Sequence, residues 1–195
     1  MSIRNRRSLY LAATIAAAAC TSTPAHQTPA PGPAKPAPKP VVPVIAPQTS
    51  AVATIRDTAG KTVGNATLVD TYAGVLVTGT VSDLGVGAHG IHIHAVGKCE
   101  APFTSAGGHF NPSGKQHGFR NANGPHLGDM PNIDTPPVGA LHFEAVLPGV
   151  TLKGQNALLD ADGAAIVVHA ARDDYTTDPS GNSGGRIACG VITQR

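Results

Sequence analysis

Aromatic residues are scarce in this chain of 195 residues, which has three tyrosines, four phenylalanines and no tryptophan. The formal charge of the whole chain is +2, but five of its fourteen basic residues precede residue 49, whereas all twelve acidic residues follow it. Residues 49–195 therefore carry a net charge of −3. Because nucleic-acid binding requires a basic surface and commonly uses stacking aromatic side chains, we expect no nucleic-acid partner.

Long hydrophobic runs are also missing, and the apolar stretch at residues 9–19 is too short to cross a bilayer as a helix. It follows Arg4, Arg6 and Arg7 and ends in small residues, which is typical of a secretory signal peptide. We predict a signal peptide over 1–19 and export to the periplasm or cell envelope. Cys20 directly follows four alanines, which resembles a lipoprotein signal in which this cysteine is lipidated and anchors the protein to a membrane. Plain cleavage without a lipid is the alternative.

Proline is concentrated in one segment, with nine prolines between Pro24 and Pro47. Such a composition favours an extended polyproline II linker and offers few residues for a hydrophobic core. We therefore assign 20–48 to a proline-rich linker. Residues 49–195 are of a suitable length for a single domain.

This domain shows no sustained apolar period of 3.6 residues, so long helices are not expected. It has instead short segments rich in β-branched residues and separated by turn residues: AVATIR, VGNATLV, GVLVTGTV, GIHIHAV, ALHFEAVL and AAIVVHA. They predict an all-β domain, an immunoglobulin-like Greek-key β-sandwich or flattened barrel. Two stretches, 97–137 and 172–185, lack the strand pattern, and loops of that length in a compact domain are usually functional.

Histidine is abundant, with eight of the nine histidines in the domain. His92 and His94 alternate with Ile91 and Ile93, and side chains at positions i and i+2 of a strand share one face. Two neighbouring imidazoles on one face can chelate a metal ion. Together with His169 they form a nitrogen set that suits Cu(II), which favours near-planar geometry.

The stretch 97–137 carries a second set of candidate ligands: His109, His117, His126 and Asp129. Three imidazole nitrogens and one carboxylate oxygen suit tetrahedral zinc. Metal binding contributes to folding free energy, so a zinc ion would also explain how a loop rich in glycine and asparagine remains ordered.

Five segments carry a resemblance to a known family: HGIHIH, TSAGGHFNP, HLGD, VVHA and GNSGGRIACGVI. In this order they resemble the copper–zinc superoxide dismutases over nearly all of residues 51–195, and that family is known for a β-sandwich fold. The resemblance implies that copper is bound by His92, His94, His109 and His169. It implies that zinc is bound by His109, His117, His126 and Asp129, with His109 bridging the two ions.

The same resemblance assigns roles outside the ligand set. Asp173 matches the carboxylate that connects ligands of the two metals, and His89 resembles a structural histidine that is not a ligand. Arg186 matches the arginine that draws in and orients the substrate anion, and Ser180 lies where a small hydroxyl residue lines the channel. His142 matches no motif and is interpreted as a partly exposed strand residue.

If Cys20 is modified, Cys99 and Cys189 remain as an even pair of cysteines in an exported protein. We predict that they form a disulfide between the first long loop and the last strand. Because it would close a loop of about 90 residues, its contribution to stability is about 4 kcal/mol in the chain-entropy model.

The implied function is dismutation of superoxide to dioxygen and hydrogen peroxide by a redox-cycling copper bridged through a histidine to zinc. One alternative is a dismutase-like module that binds copper or zinc without turnover. A zinc hydrolase is the other, but it needs a general base, and neither of the two glutamates, Glu100 and Glu144, lies in a ligand motif.

Two features are left open by the sequence. The stretch 172–185 has no lysine, although lysines of this loop are thought to steer the substrate in many family members. Steering would then be weaker, or would come from elsewhere, such as Lys98, Lys115 or Arg120. Family members exported from bacteria occur as monomers or dimers, so a homodimer is allowed.

Overall fold

A computed structural model describes residues 49–195, and the predicted signal peptide, Cys20 and proline-rich linker lie outside these described residues. The described chain contains one short 3₁₀ turn, Thr104–Ala106, and ten strands. The strands are β1 (Ser50–Asp57), β2 (Thr62–Thr71), β3 (Gly74–Val81), β4 (Gly87–His89), β5 (Ile91–His94), β6 (Ile133–Thr135), β7 (Leu141–Leu147), β8 (Ala165–His169), β9 (Arg186–Val191) and β10 (Thr193–Gln194). None of the helical structure in this part of the chain is long and apolar enough to cross a membrane.

The strands form where the sequence alternates between buried and more exposed residues. In β1, Ala51, Ala53 and Ile55 are buried, whereas the residues between them are more exposed. β8 differs because all five of its residues are buried, as expected for a strand that is covered on both faces.

The strands pair antiparallel in one curled sheet with the order β5-β8-β9-β1-β2-β3-β7, while β10 adds to β1 and β4 pairs with β6. β1, β2 and β3 follow each other as a meander, and β9 returns to lie beside β1. This spatial order is that of a Greek key. The prediction of an all-β flattened barrel is confirmed.

Two loops lie against the outer face of β5 and β8, and we call residues 95–132 the first loop and residues 170–185 the second loop. The first loop runs back along the free edge of β5, with backbone hydrogen bonds from Ile93 N–H to Gly128 and from Phe110 N–H to Ile93, of 2.9 and 2.8 Å. The second loop connects β8 to β9. Both loops therefore cover the same part of the sheet.

Four strands, β4, β6, β9 and β10, were not among the predicted segments, and β6 lies inside the stretch predicted to be irregular. β4, β6 and β10 have only two or three residues, which is too few for an alternation pattern to be visible in the sequence. β9 has six residues and was anticipated only as the last strand, which was predicted to carry Cys189.

The main hydrophobic core fills the interior of the curled sheet with aliphatic side chains such as Ile55, Leu68 and Ile166. A second, smaller cluster contains Phe103 and Val167 and lies beneath the start of the first loop. Cys99 and Cys189 form the predicted disulfide next to this cluster, which connects the first loop to β9.

Candidate metal centre

Strand alternation gives the first three candidate ligands their direction. Ile91 and Ile93 of β5 belong to the main core, so His92 and His94 point to the opposite face, beneath the first loop. His169 is the last residue of β8, the strand that pairs with β5. All three imidazoles are buried, so each of their ring nitrogens needs a hydrogen-bond partner or a metal ion.

His109 joins these three residues from the first loop, through a single bridge between its backbone and that of His94. One donor atom from each of the four histidines lies within 4.8 Å of all the others. Nε2 of His94 and Nε2 of His169 are 3.4 Å apart. These four nitrogens are the set predicted to bind copper.

Two ring nitrogens in this cluster are buried and have no hydrogen-bond partner among the described residues: Nδ1 of His92 and Nε2 of His109. An unpaired buried polar atom costs free energy, so such atoms require an explanation. A metal ion bound by all four nitrogens would satisfy both. The residues present therefore fit the copper that the sequence implies.

The second group of ligands surrounds one carboxylate oxygen. Oδ1 of Asp129 lies 2.9 Å from Nδ1 of His109, 3.0 Å from Nδ1 of His117 and 3.4 Å from Nδ1 of His126. Ligands of a tetrahedral zinc ion with bonds of about 2.0 Å are about 3.3 Å apart. These three nitrogens and the oxygen therefore have the chemistry and spacing of a zinc site.

Because the two groups are close together, donor atoms of His92 also lie within 4.8 Å of those of His109, His117 and Asp129. His92 directs its Nε2 to Asp173, 2.9 Å away. Its unpaired Nδ1 is thus the nitrogen left for a metal. We therefore place His92 in the first group, and His126 completes the second.

His109 belongs to both groups through its two ring nitrogens. Its Nδ1 contacts Asp129 and its Nε2 is the unpaired atom of the first group. Since the two nitrogens of an imidazole point in different directions, one ring can serve two metal ions. The structure thus brings together all seven residues that the sequence proposed as ligands.

Asp129 also organises the backbone of the first loop. Its Oδ2 accepts hydrogen bonds from the N–H groups of Gly118 and His126, at 2.9 and 3.0 Å. The carboxylate therefore connects two separate parts of the loop as well as three imidazoles, which explains why this region is ordered.

Asp173 connects the two groups of ligands, as the resemblance implied. Its Oδ2 lies 2.9 Å from Nε2 of His92, and its Oδ1 lies 3.0 Å from Nε2 of His117. The side chain is fully buried. Asp174, the neighbouring carboxylate, instead accepts hydrogen bonds from Thr177 and Asn182 within the second loop.

Backbone carbonyls orient two further imidazoles. Nδ1 of His94 donates to the carbonyl of Gly107 at 3.0 Å, and Nδ1 of His169 donates to that of Gly184 at 3.3 Å. In both rings Nε2 is left for a metal. His89 has the predicted structural role, because its Nδ1 donates to the carbonyl of His169 at 2.8 Å.

The environment keeps the first group neutral. Burial lowers the pKa of His94 to about 2, that of His169 to about 3 and that of His109 to about 4, and neighbouring histidines contribute to each shift. Neutral imidazoles have the lone pairs that bind metal ions.

The carboxylates have the opposite effect on the second group. Burial disfavours the charged form of His117, but its hydrogen bonds with Asp129 and Asp173 outweigh burial and raise its pKa to about 9. Burial would likewise raise the pKa of Asp129, yet hydrogen bonds from His109, His117 and His126 hold this pKa well below its usual range. Without a metal, Asp129 is thus ionised and His117 is protonated beside it, and a divalent cation would take the place of the His117 proton.

A pocket of about 490 Å³ leads from the surface to the first group. His94, His109 and His169 lie at its base, and Arg186 forms part of its wall. The guanidinium of Arg186 donates to the carbonyls of Phe103 and Gly107, both at 2.6 Å. Its positive charge is therefore fixed beside the ligands.

Ser180 lines the same pocket, as predicted, and so does Lys115. Lys98 and Arg120, the other basic residues considered for steering, do not line it. The guanidinium of Arg120 lies over the ring of Tyr175 instead, 5.8 Å from its centre. His142 is exposed on β7, as expected for a residue without a site role.

Three residues at the site were not singled out in the sequence. Asn132 donates to the carbonyl of Asp173 and accepts from its N–H, at 2.9 and 2.8 Å. The hydroxyl of Tyr175 accepts from the N–H of Asn132 at 2.6 Å. Asp178 contacts the backbone of His117. These contacts join distant parts of the chain, and no local sequence pattern indicates them.

Comparison with known proteins agrees with this geometry. Residues 62–192 match the family described as copper/zinc superoxide dismutase. Cu-Zn superoxide dismutase 1 of Aquifex aeolicus is 46% identical over 152 residues, covering 76% of this chain and 90% of that protein. The Cu-Zn superoxide dismutase of Caulobacter vibrioides is 43% identical over 148 residues, covering 73% of this chain and 85% of that protein.

A solved structure is also similar. The crystal structure of a SOD-like protein from Bacillus subtilis has a TM-score of 0.70 and 37% sequence identity, covering 73% of this chain and 97% of that one. The chain therefore belongs to the copper/zinc superoxide dismutase family.

Proposed function

We propose that the protein converts superoxide to dioxygen and hydrogen peroxide at a paired copper–zinc centre, and so protects the cell envelope from oxidative attack. The observation that carries this proposal is the shared ring of His109, which contacts Asp129 through Nδ1 and offers an unpaired, buried Nε2 to the other three histidines. Two different sets of ligands joined by one imidazole suit two different metal ions.

His92, His94, His109 and His169 would hold copper, and His109, His117, His126 and Asp129 would hold zinc. When bound, copper supplies the one-electron redox chemistry of the reaction, which converts two superoxide anions and two protons into dioxygen and hydrogen peroxide. Zinc is not redox-active, so its ligands have a structural and electrostatic role.

The protein contributes attraction, orientation and a proton. Arg186 presents a fixed positive charge at the pocket wall, so it draws in a small anion and orients it by hydrogen bonding. Nε2 of His109 is the atom of this ring that can hold a proton for the product when it does not bind copper, because Nδ1 belongs to the zinc ligands.

The alternative function is a module that binds copper or zinc without turnover. Turnover needs an open path to the first group of histidines and a group that attracts the anion. The pocket supplies both, since it reaches His94 and His169 and includes Arg186. These features favour the enzyme over the binding module.

We also propose that the protein is exported and anchored to a membrane by a lipid on Cys20, with the proline-rich linker holding the domain away from the surface. The disulfide supports an oxidising compartment. Cys20→Ser should move the protein from the membrane fraction to the soluble fraction of the periplasm. Sedimentation of the soluble variant would then distinguish a monomer from the homodimer that the family allows.

The function is tested by His94→Ala in the protein loaded with copper and zinc. His94 is fully buried and contributes a nitrogen to the first group. We expect near-complete loss of superoxide decay with the fold retained, as followed by circular dichroism. His142→Ala, at an exposed histidine of β7, is the matched control and should keep full activity. Unchanged activity of His94→Ala would refute the copper assignment.

A further inference from the structure

Asp178 lies in the second loop at a point where this loop meets the first loop. Its Oδ1 accepts a hydrogen bond of 2.6 Å from the N–H of His117. The same oxygen is 3.7 Å from Nε2 of His126. One carboxylate oxygen is thus next to His117 and His126, the two histidines that would bind zinc but not copper.

The contacts of His117 and His126 follow the same arrangement. Each ring directs Nδ1 to Oδ1 of Asp129, at 3.0 and 3.4 Å. Each directs Nε2 to an aspartate of the second loop, His117 to Asp173 at 3.0 Å and His126 to Asp178 at 3.7 Å. Asp178 therefore lies on the Nε2 side of His126, at a longer distance, as Asp173 lies on the Nε2 side of His117.

The second loop presents the Asp178 carboxylate in a defined position. On one side, Thr177 is bonded to Asp174 through both its N–H and its hydroxyl, at 2.8 and 2.6 Å. On the other side, Gly181 N–H donates to the carbonyl of Thr177 at 2.6 Å, which closes the turn around Asp178. Although the Asp178 side chain is 47% exposed, its backbone is held at both ends.

We propose that Asp178 is a positioning residue for zinc, which orients the ring of His126 and the backbone of His117 and so slows the release of the ion. This inference rests on the zinc site proposed above. An acceptor on the outer nitrogen of a metal-bound imidazole commonly strengthens binding by about 10- to 100-fold. The 3.7 Å separation exceeds a hydrogen bond, so the contact with His126 depends on the negative charge of Asp178.

The experiment measures the rate at which the full-length, copper-free protein loaded with zinc releases the ion to a coloured chelator. We expect Asp178→Ala to release zinc about tenfold faster than the wild type, the lower end of the effect of a hydrogen-bonded partner, because the contact with His126 is longer than a hydrogen bond. Asp178→Asn keeps an oxygen that can accept from the His117 N–H but loses the negative charge. Its rate of zinc release should therefore lie between those of the wild type and Asp178→Ala. If Asp178→Ala does not fold, Asp178→Asn decides the question by a rate at least about threefold above wild type.

Glu144→Ala is the matched control, because it removes a carboxylate from an exposed position on β7, outside both loops. It should release zinc at the wild-type rate. Equal rates for Asp178→Ala and Glu144→Ala would mean that the Asp178 carboxylate has no specific effect on zinc, and would overturn the proposal. So would a wild-type rate for both Asp178 variants.

A second measurement reports on His126 itself. In zinc-loaded protein, the Nε2–H signal of His126 can be followed by NMR of labelled imidazole nitrogens. We expect this signal to shift in both Asp178 variants, because they remove the negative charge 3.7 Å from Nε2, and to keep its wild-type position in Glu144→Ala. If the wild type bound no zinc, the proposed zinc site itself would be wrong. If the wild type bound zinc and released it at the same rate as the Asp178 variants, only the role of Asp178 would be wrong.

Discussion

At the scale of single residues, the centre depends on small residues that make room as well as on the ligands. Gly181 of the second loop has φ of +66°, and a Cβ there would overlap Oδ1 of Asp173 and lie 2.7 Å from Nε2 of His117. Only glycine allows the loop to approach this buried carboxylate so closely. The contact of Asp173 with both groups of ligands thus requires Gly181, although Gly181 is not a ligand.

Gly181→Ala should therefore destabilise the metal-free protein by at least about 3 kcal/mol, since it adds both backbone strain and a clash with Asp173. Gly184→Ala is the control in the same loop, because Gly184 has a similar φ of +75° but its Cβ would find its nearest neighbour at 3.6 Å. It should cost about 1 kcal/mol, the strain alone. Urea unfolding measures the free energy of unfolding of both variants. Equal losses of this free energy in Gly181→Ala and Gly184→Ala would contradict the role assigned to Gly181.

At the scale of secondary-structure elements, the disulfide connects β9 to the part of the first loop that holds Arg186. Cys189 lies in β9, three residues after Arg186, and Cys99 precedes the carbonyls of Phe103 and Gly107 that accept hydrogen bonds from the guanidinium. The crosslink thus fixes both sides of the contact that orients Arg186.

Replacing Cys99 and Cys189 together by serine should lower the free energy of unfolding by about 4 kcal/mol, because the crosslink closes a loop of 90 residues. It should also lower the rate of superoxide decay, since Arg186 loses its fixed position. Equilibrium unfolding measures the free energy of unfolding. As a control, a reductant should destabilise the wild type by a similar amount and leave the double variant unchanged. A double variant as stable as the wild type would show that the disulfide does not stabilise the fold.

The elements also show which parts of the structure could be predicted. The long strands other than β9 followed from alternation or, as in β8, from a run of β-branched residues. The ligands followed from the number of histidines and from their spacing. β4 and β6 could not be found because three residues show no period. Asn132, Tyr175 and Asp178 could not be found because their roles exist only where the two loops meet.

At the scale of the whole molecule, the side chains of the described domain carry a net charge of −3, which two bound divalent cations would largely cancel. The net charge therefore gives superoxide, an anion, little attraction at long range. The pocket supplies attraction locally, because Arg186 and Lys115 line it and only one carboxylate, that of Asp178, is among the residues that do so. Attraction thus depends on a few charges close to the entrance.

Lys115→Ala should therefore slow superoxide decay by roughly threefold at low ionic strength, and it should weaken the dependence of the rate on salt. Lys98→Ala removes the same charge from an exposed position that does not line the pocket, and should change the rate little. The rate constants of wild type and both variants are measured from low to high ionic strength. Because salt screens charges over about 10 Å at 0.1 M, the curves of wild type and Lys115→Ala should converge at high salt. Equal salt curves for the Lys115 and Lys98 variants would show that net charge, and not the position of Lys115 at the entrance, governs the approach of the substrate.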